Sequence, residues 1–234
     1  MNGPDNYEAF PVRRFWLAAL FFSGLFALYG LWEGREYFQA RYWENKIPRL
    51  VSELDTNSNG INDTDDIIAG ARIQVKKGPV YKSVYYDKIG YPPDNESVCT
   101  DLIWRALRHA GYDLKSMMDT DIKANVRLYP RTKGKPDPNI DFRRVPNQRV
   151  FLARHGSVLT NILIPGDAEN LAQWQPGDIV SFRDPDHIGI LSTKRNSQGL
   201  PYLIHSTEPK PVERDDLWSR YKRGLTGHYR FPKN

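Results

Sequence analysis

Hydrophobic and polar positions follow different patterns in successive parts of this chain, and each pattern predicts a different element. Residues 15–32, FWLAALFFSGLFALYGLW, contain no charged residue. A run of this length is at the lower end of what spans a bilayer. Two arginines precede it and a tryptophan lies near each end, as interfacial aromatic residues do. The pattern predicts a short tail at residues 1–14 and a single membrane-spanning anchor at 15–32, with a cleaved signal peptide or a buried core helix as the alternatives.

Beyond this run the pattern becomes helical. Apolar residues recur at helical spacing from Tyr37 to Leu54. Residues 33–67 are therefore predicted to form a helical stalk that ends in a polar loop. If the short N-terminal tail remains in the cytoplasm, everything after Trp32 lies outside it.

The polar loop, DTNSNGINDTDD, begins at residue 55 and has the spacing of a calcium-binding loop. Side-chain oxygens at alternate positions, with a glycine at the sixth, suit Ca²⁺ because this ion takes hard oxygen ligands around a sharp turn. The candidate ligands are Asp55, Asn57, Asn59, Asp63 and Asp66. An Asp at position twelve, where Glu is usual, predicts a weaker site. We expect a structural calcium ion that ties the stalk to the following domain, the alternative being an Asn/Asp-rich turn without metal.

The remaining residues, 68–234, change from a helical to a strand pattern along their length. Apolar residues at helical spacing predict a helix that starts after Ser97, a good N-cap, and stops at Gly111. In the last third, PGDIVSF, HIGILSTK, PYLIHST and LTGHYRF are short apolar and β-branched runs separated by turn residues. Helices followed by an antiparallel sheet predict an α+β domain.

Composition and charge narrow the classes of partner. The chain has a formal net charge of +5 and a sequence pI near 9.2, which favours an anionic partner or surface. The basic residues are scattered and no stacking aromatic residues interleave with them, so we expect no nucleic-acid partner. Cys99 is the only cysteine, so the chain cannot form an intramolecular disulfide. An unpaired thiol outside the cytoplasm is a liability unless it is buried or used.

Cys99 lies in the first turn of the predicted helix, where free backbone N–H groups and the helix dipole favour a thiolate and can hold an oxyanion. Two histidines have a matching placement, because His187 opens one strand and His205 lies in the next. A thiol, an imidazole base and a group that orients the base form a cysteine-nucleophile triad. Two alternatives remain open. In the first, Cys99 belongs to the apolar stripe of its helix and is simply a core residue. In the second, Cys99, His187 and His205 form a Cys/His₂ zinc site.

The order of these motifs resembles the NlpC-type cell-wall cysteine peptidases of bacteria, which have a compact papain-like α+β fold. The motifs are a cysteine at a helix start, then PGDIVSF, HIGIL and LIHS. Longer stretches, GYPPDNESVCTDLIWRALRHAGYDL and NIDFRRVPN, resemble an uncharacterised bacterial branch of that superfamily, a domain of unknown function. This similarity extends over about residues 68–231.

The resemblance implies a role for each candidate residue. Cys99 would be the nucleophile, His187 the general base and His205 the residue that orients His187. The oxyanion tyrosine of this family lies upstream of the cysteine, and of Tyr86 and Tyr91 we favour Tyr91. No cofactor is expected for catalysis. The chain departs from better-known members in having Val and Thr, rather than Asp and Ser, on either side of the cysteine, and in a longer connection between the two histidine strands.

Arg143 and Arg144, in NIDFRRVPNQ, are candidate substrate-binding residues because they can pair with carboxylates on a peptide stem; the alternative is a solvated basic loop.

Taken together, the patterns and the resemblance predict a membrane-anchored, extracytoplasmic cysteine hydrolase at the bacterial inner membrane. It would cleave amide bonds in peptidoglycan stem peptides. The alternatives are a catalytically idle wall-binding or scaffold module on the same fold, and an acyltransferase that works through a Cys99 thioester.

Overall fold

The computed structural model describes the backbone of residues 12–233 and the side chains of residues 29–233. This part of the chain contains seven α-helices and eight strands. The helices are α1 (Val12–Lys46), α2 (Asp63–Lys77), α3 (Cys99–His109), α4 (Leu114–Asn125), α5 (Val145–His155), α6 (Ala168–Leu171) and α7 (Leu217–Gly224). The strands are β1 (Val80–Tyr81), β2 (Glu96–Ser97), β3 (Ser157–Val158), β4 (Ile179–Phe182), β5 (His187–Arg195), β6 (Pro201–His205), β7 (Val212–Arg214) and β8 (Leu225–Arg230). Two single turns of 3-10 helix lie at Val126–Leu128 and Asp141–Arg143.

Six strands form one antiparallel sheet in the order β3-β8-β4-β5-β6-β7. In the β4–β5 hairpin Phe182 is opposite His187, and in the β5–β6 pair Ile190 is opposite Ile204. β1 and β2 form a separate parallel ladder that leads into α3. The prediction of an α+β domain built on an antiparallel sheet is confirmed.

The helix that begins with Cys99 is clamped between the sheet and a second helix. Residues 99–107 of α3 are all buried, and they share one apolar core with isoleucines of β4, β5 and β6. α2 packs across the outer side of α3 so closely that a Cβ on Gly70 would lie 3.0 Å from the Ala106 Cα. Glycine permits this close approach of the two backbones. Cys99 is therefore held on a helix with little freedom to move.

The C-terminal end of α1 packs on the opposite face of the sheet. Ile47 belongs to the second core, with Trp174 and Leu203, and the Trp43 indole donates to the Ser197 carbonyl at 2.9 Å. The helix ends at Lys46, and residues 47–62 have irregular structure up to α2. The helical part of the predicted stalk, which was expected to reach Leu54, is therefore shorter in the structure, because the residue before a proline is disfavoured in a helix and position 48 is a proline.

The predicted membrane anchor requires correction. In the described part of the chain, no helix is both long enough and apolar enough to cross a bilayer. This finding overturns the anchor and the single-pass inner-membrane location that depended on it. Residues 1–11, and the side chains up to residue 28, lie outside the described residues.

The PGD motif is structural. Oδ2 of Asp178 is 2.9 Å from Nε2 of His228, and Oδ1 of Asp178 accepts from Nε of Arg230 at 2.7 Å. Asp178 and His228 are fully buried, and the His228 ring stacks on Trp174 at a centroid distance of 4.0 Å. The motif therefore ties β4 to β8, and His228 serves this packing.

Candidate active site

Hydrogen bonds to the Asp101 side chain hold the first turn of α3 in place. Cys99 is its first residue and Val98 is the N-cap, one position after the Ser97 cap that the sequence predicted. The Asp101 carboxylate accepts the Val98 N–H at 2.8 Å and the Trp104 indole N–H at 2.9 Å. A carboxylate in this position satisfies an otherwise free donor at the positive end of the helix. The start of the helix, and with it the Cys99 backbone, is therefore well defined.

Arg143 completes this support through a buried ion pair with Asp101. Its Nε and Nη2 donate to the two carboxylate oxygens at 2.7 and 2.9 Å, and Nη1 donates to the Val84 carbonyl at 2.8 Å. The Arg143 carbonyl accepts from the Thr100 hydroxyl at 2.9 Å. Every guanidinium nitrogen of Arg143 is occupied, so this residue supports the helix and is not free to bind a substrate. Its neighbour in the predicted pair, Arg144, is engaged by a backbone carbonyl and a carboxylate of the preceding loop.

His187 and His205 lie side by side, as predicted, and a third residue extends them into a line. Nε2 of His187 is 2.7 Å from Nδ1 of His205, and Nε2 of His205 is 2.9 Å from Oδ2 of Asp216. Asp216 is the N-cap of α7, and its Oδ2 also accepts from Nε of Arg214 at 2.6 Å. The line is buried at its first two members, since His187 is 5% exposed and His205 is 0% exposed.

Gly189 makes room for the contact between the two rings. It lies two residues after His187 on the same face of β5. A Cβ at this position would lie 3.0 Å from the His205 Cβ and 2.9 Å from a methyl carbon of Leu203. Any larger residue would push the β6 side chains away from His187.

The line fixes the proton positions on both imidazoles. Hydrogen bonds from His205 and Arg214 lower the pKa of Asp216, which therefore remains a carboxylate and can only accept. Nε2 of His205 must then carry a proton, and because burial lowers the pKa of His205, its Nδ1 is an acceptor. That Nδ1 accepts the Nε2–H of His187, which leaves Nδ1 of His187 with a free lone pair. Both nitrogens of His205 are engaged by these hydrogen bonds, so in this arrangement neither is free to bind a metal ion.

The thiol of Cys99 is neutral in the resting site. Cys99 is 5% exposed, and burial raises the pKa of its thiol to about 11, against the opposing effect of the backbone N–H groups of Ile188 and Thr100. The position at a helix start alone predicted a lowered pKa. Burial penalises the charged form more than one helix terminus favours it, so the thiol is protonated at neutral pH.

The imidazole beside it is neutral as well. Burial lowers the pKa of His187 to about 2, and the positive charge of Arg220 adds to this effect. Ile188, the residue after His187, presents its backbone N–H to the Cys99 sulfur. Among the described residues, no hydrogen bond joins this sulfur to the His187 ring. The resting arrangement is therefore a neutral thiol next to a neutral base, and not a preformed ion pair.

Tyr81 is the tyrosine that lies at the thiol. Burial raises the pKa of its phenol, and the nearby Cys99 sulfur, when ionised, raises it further. The β1–β2 ladder explains the placement, because Tyr81 pairs with Ser97, two residues before Cys99. A pairing of two-residue strands sixteen positions apart leaves no periodic signal, so sequence reasoning missed this residue.

The tyrosine favoured by the sequence, Tyr91, lies elsewhere. Its ring packs on Trp104 at a centroid distance of 4.7 Å, and its hydroxyl is 3.3 Å from Asp113, beyond the C-terminal end of α3. An eleven-residue helix is about 16 Å long, so this hydroxyl is at the far end of α3 from Cys99. The other candidate, Tyr86, donates to the Glu96 carboxylate. Neither tyrosine is placed to stabilise an oxyanion at Cys99.

Arg220 is a second residue that sequence reasoning missed. It follows Asp216 by four positions at the start of α7, so both side chains lie on one face of the helix. Burial raises the pKa of Cys99 and lowers that of His187; the charge of Arg220 opposes the first shift and adds to the second, so the guanidinium lies near both groups. It is half-buried, and none of the described residues forms a hydrogen bond or an ion pair with it. The spacing of Asp216 and Arg220 was the only available signal in the sequence.

The predicted calcium ligands lie at the other end of α3. Asp63 and Asp66 are in the first turn of α2, and Nδ2 of Asn57 donates to the carbonyl of His109, the last residue of α3, at 2.9 Å. Over residues 29–233, no three His, Cys, Asp or Glu side chains converge in an arrangement that would hold a metal ion. The loop is therefore separate from the Cys99 site.

A surface cavity of about 390 Å³ lies between α2 and α3 and is lined by Gly70, Gln74, Arg105, Arg108 and His109 among others. None of the residues that line this cavity belongs to the Cys99 site. This cavity therefore does not mark the Cys99 site.

Comparison with known proteins identifies the family. A family model described as "Domain of unknown function (DUF1287)" matches residues 68–231, the stretch over which the sequence resembles an uncharacterised bacterial domain. The "Uncharacterized protein YijF" of Escherichia coli (strain K12) is 32% identical over 194 residues, which cover 79% of this chain and 87% of that protein. Neither match links the chain to the NlpC-type peptidases, and that relationship stays a prediction. The match over well over half of its residues shows that this chain belongs to the DUF1287 family.

Proposed function

We propose that this chain is a cysteine hydrolase of the NlpC type that cleaves amide bonds in peptidoglycan stem peptides. The proposal is carried by the line of hydrogen bonds from His187 through His205 to Asp216, which begins beside Cys99. A buried histidine with a purely structural role normally has both ring nitrogens hydrogen-bonded. Here two buried imidazoles and a carboxylate are ordered so that His187 keeps one lone pair, which is what a general base requires.

In the proposed reaction, Nδ1 of His187 takes the thiol proton as the Cys99 sulfur attacks the carbonyl carbon. The carbon–sulfur bond forms and the carbonyl oxygen becomes an oxyanion, for which the backbone N–H groups at the start of α3 and the Tyr81 hydroxyl are donors. His187 returns its proton to the leaving nitrogen as the carbon–nitrogen bond breaks, and a thioester remains on Cys99. A water molecule, deprotonated by His187, hydrolyses the thioester and the thiol is restored.

His205 and Asp216 act mainly in the transition state. In the resting site His187 is neutral, so positive charge develops on its ring only when the thiol proton moves. His205 then accepts a stronger hydrogen bond from His187, and the carboxylate of Asp216 compensates the charge through His205. An interaction that strengthens only in the transition state raises kcat and leaves substrate binding unchanged.

Arg220 supports an anionic peptide as the substrate. Its half-buried guanidinium is close to Cys99 and His187, and it has no partner among the described residues. A substrate carboxylate next to the scissile amide would give this arginine a charge-assisted, two-pronged contact. Stem peptides carry such carboxylates, and Arg220 would take the substrate-binding role predicted for Arg143 and Arg144.

The test is digestion of purified peptidoglycan fragments, with products separated and identified by mass spectrometry. The wild-type chain should release fragments with new amino and carboxyl termini. Cys99→Ala and His187→Ala should abolish turnover, because each removes a group that forms or breaks bonds. His155→Ala changes an exposed histidine on α5 and should leave turnover intact. Full activity of the Cys99→Ala variant refutes the mechanism.

A second candidate function is a catalytically idle wall-binding module on the same fold. The observation that favours it is the near-complete burial and raised pKa of the Cys99 thiol. Such a module would bind wall fragments equally well with and without the thiol and release no product. An acyltransferase through the same thioester is distinguished by its product, since an added amine would then carry the acyl group in place of water.

A further inference from the structure

We propose that the loop at residues 55–66 binds a structural Ca²⁺ that ties the start of α2 to the C-terminal end of α3. The proposal does not depend on the function of Cys99, because the two sites lie at opposite ends of α3 and share no residue.

The backbone of the loop is curled so that alternate side chains turn to its inner side. The Asp55 carboxylate accepts the N–H groups of Asn59 and Gly60 at 3.1 and 2.9 Å. Oδ1 of Asn57 accepts the Asn59 N–H at 3.0 Å, and Oδ1 of Asn59 accepts the Ile61 N–H at 2.8 Å. Each acceptor oxygen keeps a second lone pair that these hydrogen bonds do not use.

The observation that points to a cation is an unpartnered oxygen of Asp66. This residue is 1% exposed. Its Oδ2 accepts from the side-chain amides of Asn57 and Asn59 at 2.7 and 2.9 Å, which places the carboxylate inside the loop. Its Oδ1 has no hydrogen-bond partner among the described residues, and Nε2 of His109, at 3.9 Å, is too distant to be one.

A buried carboxylate oxygen without a partner is costly, because the charge has been removed from water and nothing replaces the lost hydration. A calcium ion would supply that replacement. Two carboxylates, from Asp55 and Asp66, balance its charge, and a half-turn of the Asn59 amide would present oxygen where its NH₂ group now faces Asp66. Hard oxygen ligands of this number and flexibility suit Ca²⁺ better than Mg²⁺, which demands near-octahedral geometry.

Asp63 is not one of the ligands, in contrast to the sequence prediction. Its two oxygens accept from the Thr56 N–H at 2.8 Å, the Thr56 hydroxyl at 2.9 Å and the Tyr112 hydroxyl. The residue is fully buried and fully satisfied. Its role is to hold the loop against Tyr112, which follows α3 along the chain. The proposed ligands are therefore Asp55, Asn57, Asn59 and Asp66, with the Ile61 carbonyl at loop position seven and water.

The proposed site would stabilise the packing of α2 on α3. Asn57 contacts the last carbonyl of α3, Asp66 lies in the first turn of α2, and the two helices are in backbone contact at Gly70. An ion that holds the loop therefore also holds the helix whose first residue is Cys99.

The test uses the full chain, freed of metal with a chelator and titrated with CaCl₂ by calorimetry and thermal unfolding. We expect a dissociation constant of about 10⁻⁴ M, as in weaker loops of this type. At a hundredfold excess over that value the midpoint of thermal unfolding should rise by about 5 °C or more. MgCl₂ at the same concentration should give less than about a third of this shift.

Asp66→Asn should abolish the calcium shift, and Asp55→Asn should do the same if the first variant fails to fold. Asp65→Asn is the matched control, since this neighbouring carboxylate is partly exposed and pairs with Arg49; it should keep the full shift. The proposal is overturned if calcium leaves the wild-type midpoint unchanged, or if Asp65→Asn loses the shift as completely as Asp66→Asn.

Discussion

The resting protonation state of Cys99 can be tested through the rate at which iodoacetamide alkylates it. The thiolate is the reactive form, and a thiol with a pKa of about 11 is about 10⁻⁴ ionised at pH 7. A thiol with the ordinary pKa of about 8.5 is about 3% ionised at the same pH. The higher intrinsic nucleophilicity of the more basic thiolate recovers about a factor of ten. We therefore expect Cys99 to react about 30-fold more slowly than an unperturbed thiol, before its 5% exposure slows it further.

The assay is the mass of the intact, folded chain after timed exposure to iodoacetamide from about pH 6 to about pH 10. The rate should rise about tenfold for each pH unit over this range, because the thiolate fraction rises in that way below the pKa. His187→Ala should leave the curve nearly unchanged, since the resting imidazole is neutral and does not stabilise a thiolate. The same chain in denaturant, with an ordinary thiol, supplies the reference rate.

The result that refutes this reasoning is a rate that is already high and constant near pH 7 and that falls when His187 is replaced. Such a curve would mean that a thiolate–imidazolium pair exists before substrate arrives. General-base activation at the moment of attack would then be wrong, although the assignment of Cys99 as the nucleophile would stand.

Three further substitutions test separate parts of the site. Asp216→Asn should lower kcat by about tenfold to a hundredfold with KM unchanged in steady-state kinetics, because the positive charge on the proposed base loses its compensation; an equal rise in KM would contradict this role. Arg220→Ala should raise KM about tenfold for a carboxylate-bearing peptide and not for its amidated form, with the exposed Arg223→Ala as the control. Arg143→Ala should cost about 3–5 kcal/mol in urea unfolding, because it leaves the Asp101 carboxylate buried and unpaired. Arg144→Ala should cost less than about 1 kcal/mol, and equal losses for the two arginines would contradict the role given to the ion pair.

The elements that depend on local periodicity could be predicted from the amino-acid pattern alone. The apolar spacing that follows Ser97 predicted α3 to within one residue at its start, and the β-branched runs after Gly177 predicted the strands that carry His187 and His205. Their adjacency also followed from sequence, because two short strands joined by one turn pair antiparallel with side chains in neighbouring positions.

The contacts made across long separations were decided by the tertiary structure. Arg143 was predicted to bind substrate, and it forms a buried pair with Asp101, 42 residues away. Tyr81 reaches Cys99 through a two-residue ladder, whereas Tyr91, which is nearer in sequence, is packed at the other end of the helix. Several tyrosines and arginines of this chain look equivalent in sequence. Their type and spacing do not show which of them tertiary packing will bring to a site.

Protonation state depended on the tertiary structure as well. From its place at a helix start, Cys99 was expected to have a lowered pKa, and burial against the sheet raises the pKa instead. A helix terminus is a local feature that sequence encodes, whereas desolvation depends on how completely distant segments cover the sulfur. The sequence therefore determined which reactive groups this chain has and on which elements they lie. Only the packing of those elements decided which partners they meet and which of them carry charge.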